Sequence, residues 1–283
     1  MISETTSRPV ADKPNSDASV NTRFVKTFLA LFGLGFLGVL SLLPTLSGQL
    51  DALPPELAEL PAPVAAALAL LNSLILLAVA VAVGTLLAHR VGLRSLVAGR
   101  VRQGTAIWPQ LRPHIPLAVA VGLILSGVIL GLDALINPFA GADLAVEAAG
   151  WTDLSTQLLA GLFYGGIVEE LLLRWGLMSL LVWIGWRVAQ RGQGLPRPAL
   201  VWTAIVLAAL LFGIAHLPAL AGMVALTPLI VVRTVLLNAL GGVLFGWLFW
   251  RRSLETAMVA HATTHAGFFI INLSLIALGL VGR

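Results

Sequence analysis

Long apolar runs alternate with short polar loops along most of the chain. The runs fall at about Phe24–Leu46, Val64–Ala88, Ile115–Ile136, Leu154–Ile184, Ala199–His216, Thr234–Trp250 and Leu254–Val281. A helix needs about 20 apolar residues to cross the hydrocarbon core of a bilayer. The pattern therefore predicts seven crossings, or eight if the apolar piece Ala219–Val232 crosses separately. That piece is short and interrupted at Thr227-Pro228, which also suits a re-entrant or interfacial segment. The fold class expected is all-α, a polytopic transmembrane helical bundle of 7–8 membrane helices. Residues 1–22 are polar and read as a disordered cytoplasmic tail. Residues 23–150 hold three N-terminal spans, and 151–283 hold the remainder.

The polar loops set the orientation. Basic residues gather at Arg23 and Lys26, in His89–His114, in Arg187–Pro198 and at Arg251-Arg252, whereas Asp51–Pro63 and Asn137–Asp153 are acidic. Basic and acidic loops alternate as the positive-inside rule requires, which places the N-terminus in the cytoplasm. Tryptophans 183, 186, 202, 247 and 250 fall at the cytoplasmic ends and Trp151 at an outer end, the pattern of an aromatic belt.

Composition narrows the class. Of 283 residues 58% are hydrophobic and only 11% charged, against about 25% charged in soluble domains. The net charge of +4 is carried by loop arginines, so topology explains it and nucleic-acid binding is not implied. Cysteine is absent, which excludes disulfides, thiolate zinc sites and a cysteine nucleophile. Lysine is confined to Lys13 and Lys26 in an Ala-, Leu- and Gly-rich chain, a usage suggesting a high-GC bacterial genome and hence a bacterial inner membrane.

The candidate chemistry sits inside the apolar runs. Val168–Gly176 reads V-E-E-L-L-L-R-W-G. A charged residue at the centre of a membrane helix costs about 2.5–3.5 kcal/mol on insertion scales, so three together imply a polar interior. Glu170 and Arg174 are four apart and share a helix face on which they can pair; Glu169 points elsewhere. His216, His261 and His265 are the natural groups to share that interior, His261 and His265 lying one turn apart. A glutamate in an apolar pocket can act as general base on water, and a histidine can hold that water or donate to an oxyanion. His216 is the partner expected to keep Glu169 poised.

Taken in order, these motifs resemble the CAAX-protease and bacteriocin-processing (CPBP) family of intramembrane proteases, which includes the type II prenyl-protein endopeptidases. The matches are Glu169-Glu170…Arg174, Phe212…His216, Gly246-Trp247-Leu248…Arg251 with Ser253-Leu254, and His261…His265, over roughly residues 155–275. The resemblance implies an endopeptidase acting on a membrane-associated or lipidated protein or peptide. In it Glu169 activates water with His216, Glu170 pairs with Arg174 to brace the site, and His261 with His265 forms the oxyanion hole. His265 stands where the family often has asparagine; a neutral imidazole still offers an N–H donor. The implied mechanism needs no cofactor, with zinc as the alternative, since two histidines at i, i+4 are also a zinc-ligand spacing. The partners implied are the lipid bilayer and a peptide or membrane-protein substrate.

Two other classes remain open on the sequence. One is a non-catalytic membrane scaffold or immunity-type protein using the same polar cavity. The other is a transporter with the Glu-Arg pair as proton relay, which the lack of an internal repeat disfavours. Arg233 and Asn238 read as helix-packing groups, Asn272 as an interhelical contact, and Gly241-Gly242…Gly246 as a surface for close helix packing.

Overall fold

The computed structural model describes residues 16–45, 61–139, 151–222 and 224–280, and within them the chain is helical with no strand. Helix α1 spans Ser16–Leu40 and α2 Ala62–Leu87. A basic connection follows, holding α3 (Leu96–Gln103) and α4 (Ile107–Leu111). Helix α5 is Ile115–Ile136. A continuous helical run then covers 151–190: α6 (Trp151–Ala160), two wide-turn π-helical stretches (Gly161–Glu169 and Leu171–Met178) and α7 (Ser179–Gln190). The rest comprises α8 (Pro198–Ala215), the one-turn α9 (Leu217–Ala221), α10 (Pro228–Arg251) and α11 (Leu254–Ala277).

Among the described residues six helices are long and apolar enough to cross a membrane: Asn21–Thr45, Pro63–Val91, Ile107–Phe139, Pro198–Ala221, Pro228–Arg251 and Leu254–Ala277. The helix 151–190, which carries the buried charges, runs through the same bundle. Its π-helical stretches pack against α1, α2 and α11, while α5 lies along α11 and α8 along α10. Large apolar side chains such as Leu37, Leu68, Val79, Ile124 and Val232 face outward. On a multi-pass membrane protein such a surface meets lipid.

Two boundaries differ from expectation. Helix α1 begins at Ser16, inside the stretch expected as a tail; Ser and Asp at 16 and 17 are residue types that favour helix starts. Residues 1–15 lie outside the described residues, as do Asp51, Asp143 and Glu147 of the acidic loops. The piece Ala219–Val232 does not cross separately. It is split between five-residue α9 and the first turn of α10, which starts at Pro228 behind the N-cap Thr227.

Glycines set the closest approaches. A Cβ on Gly242 would stand 2.6 Å from that of Ala209, and one on Gly213 would stand 2.6 Å from the Val235 carbonyl oxygen, so α8 and α10 meet almost backbone to backbone. Gly176 does the same against Ala80 of α2.

At the basic end Glu255 binds the connection to the bundle. Its buried carboxylate accepts from Ser95 Oγ at 2.6 Å and from the amides of Leu96 and Val97 at 2.8 and 3.0 Å, the first turn of α3. An anion at a helix N-terminus satisfies amides that lack intrahelical partners. Leu254 N–H to Arg94 O and Arg94 Nε–H to Arg252 O complete the clamp. Glu255→Ala is expected to cost about 2–3 kcal/mol, read as a fall of about 4–8 °C in the melting temperature in detergent; an unchanged melting temperature would dismiss the clamp.

Candidate active site

The helix 151–190 supplies both glutamates at the junction of its two π-helical stretches. Such wide turns are rare and are frequent at functional sites. Glu170 is fully buried and pairs with Arg174, Oε1 to Nη1 at 3.0 Å. Arg174 is itself 2% exposed. Its guanidinium carbon lies 5.0 Å from the Phe212 ring centre on α8 and 5.3 Å from that of Phe245 on α10, and Nη2 donates to Gly242 O at 3.3 Å. The cation is thus held by one carboxylate, two aromatic faces and a carbonyl, which offsets the cost of burying it. Phe212 also meets His216 edge-on, with ring centres 4.7 Å apart.

His261 of α11 bridges the glutamate pair. Its Nδ1 lies 2.8 Å from Glu170 Oε1 and its Nε2 3.7 Å from Glu169 Oε2. With Glu170 Oε1 paired to the Arg174 guanidinium, that oxygen acts as acceptor and Nδ1–H as donor of the short bond. Nε2 then faces Glu169. At 3.7 Å the two are too far apart for a direct hydrogen bond. The imidazole ring is fixed from both sides, stacked on Phe245 at 4.5 Å and on His265 at 5.2 Å between centres.

His265 has its place because of two glycines. A Cβ on Gly165 would come 2.7 Å from His265 Nε2, and one on Gly161 would collide with the ring. Gly166 lets the helix close on Ala262 of α11. The spacing G-x-x-x-G within Gly161–Gly165 was the available sequence signal for this contact.

His216 caps α8, whose 18 residues end there. It stands where α8 gives way to α9 and lines the same cavity as Glu169. His216 Nδ1 donates to Phe212 O at 2.8 Å, since a carbonyl can only accept. In the neutral ring Nε2 is therefore an acceptor.

Glu169, His216, His261 and His265 line one cavity of about 590 Å³. Glu169 is 18% exposed by its side chain, whereas Glu170 is sealed. The wall also holds Tyr164, Asp133, Arg233, Asn238 and Asn272. Tyr164 meets Ser73 of α2 at 3.4 Å between hydroxyls. Asn238 and Asn272 donate to carbonyls of their own helices, Thr234 O and Phe268 O. Arg233 pairs with Asp133 of α5. Among the described residues no three His, Asp or Glu side chains converge as metal ligands.

Residues 150–267 match the family model described as type II CAAX prenyl endopeptidase Rce1-like. No curated protein and no solved structure matches the chain.

Proposed function

We propose that this multi-pass membrane protein, whose residues 150–267 match the type II CAAX prenyl endopeptidase model, is an intramembrane protease that hydrolyses a peptide bond of a membrane-associated or lipidated substrate by glutamate-activated water. The observation that supports it most is the contrast between adjacent glutamates, one sealed against Arg174 and one open to a cavity shared with three histidines. Glu169 accepts one hydrogen of the attacking water and His216 Nε2 the other, which leaves an oxygen lone pair for the scissile carbonyl carbon. Water oxygen bonds to that carbon as its proton passes to Glu169. The oxyanion takes hydrogen bonds from His265 N–H and, when the His261 ring is protonated, from its Nε2–H. Glu169 then returns the proton to the leaving nitrogen as the C–N bond breaks.

Glu170 serves as the counter-charge that orients His261. Beside the cavity an apolar groove of about 550 Å³ runs between α5, α8 and α10, and Leu125 lines both. It suits an acyl or prenyl chain, or an apolar helix, lying next to the reacting bond. The alternating loop charges favour a cytoplasmic N-terminus, and the composition favours a bacterial inner membrane. The cavity wall follows α5, α10 and α11 toward their ends remote from the basic loops, so it opens on the outer half of the bilayer. That position favours a pheromone, bacteriocin precursor or membrane protein over a cytosolic lipoprotein.

Turnover of a quenched-fluorescent peptide library by the detergent-purified protein is expected to survive a zinc chelator. Loss on chelation with recovery on added zinc would move His216, His261 and His265 into ligand roles and overturn the metal-free mechanism. No turnover of any peptide would favour the non-catalytic scaffold.

A further inference from the structure

The cavity has a second polar end. Arg233, Leu237, Gly241 and Phe245 recur at four-residue spacing on α10 and all line the wall. One face of α10 therefore runs unbroken from Arg233 to the ring that stacks on His261. At 1.5 Å per residue Arg233 lies about 18 Å along the axis from Phe245, and Asn272 lies about 16 Å from His261 on α11. An extended peptide rises about 3.3 Å per residue. The distance corresponds to about five residues, or about three once the reach of an arginine side chain is subtracted.

Arg233 is the one Lys or Arg on the wall among the described residues. Its Nη2 pairs with Asp133 Oδ1, while its Nε is shielded from solvent and has no hydrogen-bond partner. A guanidinium carries five donors in a fork that suits carboxylates, and a buried unused donor is costly. Neither side chain is sealed: Arg233 is 15% and Asp133 25% exposed. Asp133 thus keeps the cation neutralised in the empty cavity and can become hydrated when another anion arrives.

We propose that Arg233 binds a carboxylate of the substrate peptide, about three to five residues from the bond held at Glu169, in competition with Asp133. The inference rests on the peptidase reading of that bond, but carboxylate binding is measurable without turnover. The carboxylate is either the peptide C-terminus or an Asp or Glu side chain.

The test uses the full-length Glu169→Gln protein, which binds without cutting. An equimolar mixture of apolar octapeptides, each present as free acid and as C-terminal amide, is equilibrated with it and the retained peptides are weighed by mass spectrometry. A third set is amidated but carries one aspartate. Free acids are expected to be retained about tenfold over amides, the factor given by one charge-assisted hydrogen bond. Arg233→Met removes that preference, and Asp133→Asn increases it. Asp133→Asn acts in the opposite direction, so a folding defect in Arg233→Met cannot mimic the result. Enrichment of the aspartate amides alone assigns the site to a side-chain carboxylate. Equal retention of all three sets, or retention of none, overturns the proposal. A protein that shows the preference yet never cleaves any peptide contradicts the peptidase reading and leaves the carboxylate site standing.

Discussion

Glu169→Gln is expected to lower turnover by about 10²–10⁴-fold while leaving the melting temperature within about 2 °C of the parent protein. A positioned general base contributes about 10²–10⁴ in rate, and glutamine keeps the shape but cannot take the water proton. Stability is spared because Glu169 is the open member of the pair. Its nearest ionic neighbour, His261 Nε2, stands 3.7 Å away, and its side chain faces the cavity. The same change at Glu170 would strip Arg174 of its carboxylate, so the two isosteric variants should separate cleanly in a melt. Turnover by Glu169→Gln comparable to the parent would sink the general-base assignment.

Arg174→Met is expected to destabilise the bundle by about 3–5 kcal/mol, the usual cost of removing one partner from a buried pair. Glu170 has no exposure, and its Oε2 already lacks a hydrogen-bond partner. Without the guanidinium its remaining hydrogen bond is the one from His261 Nδ1. The Phe212 and Phe245 rings would lose the cation between them, and with it the spacing of α8 and α10 beside the cavity. The double variant Glu170→Gln/Arg174→Met should recover at least half of the lost stability, because the uncompensated charge is gone; the non-additivity measures the pair. It should stay catalytically impaired, since His261 loses the carboxylate that orients it. Melting temperature and turnover of the four proteins decide this. An additive cycle would mean that Arg174 stabilises by packing alone.

Much of this protein was legible in the order of its residues. Apolar runs near bilayer length specify helices whatever their neighbours, because hydrocarbon leaves a backbone no other way to satisfy its polar groups. Helix α5, expected and found at Ile115–Ile136, owes its bounds to that rule. The Glu170–Arg174 pair was legible too, since residues four apart on a helix meet regardless of the tertiary fold. Which imidazole reaches the glutamates was not. His216 lines the same cavity as Glu169, and the ring standing between Glu169 and Glu170 is that of His261. That outcome depends on how α11 crosses the helix 151–190, which in turn depends on Gly161, Gly165 and Gly166 admitting its backbone. Asp133 and Arg233 are a hundred residues apart in the chain and meet only because α5 and α10 border the same cavity. Spacing along one helix fixes angles around one axis. Distances between axes are fixed by the small residues and side chains that interlock there, and that interlocking exists only once the bundle has closed.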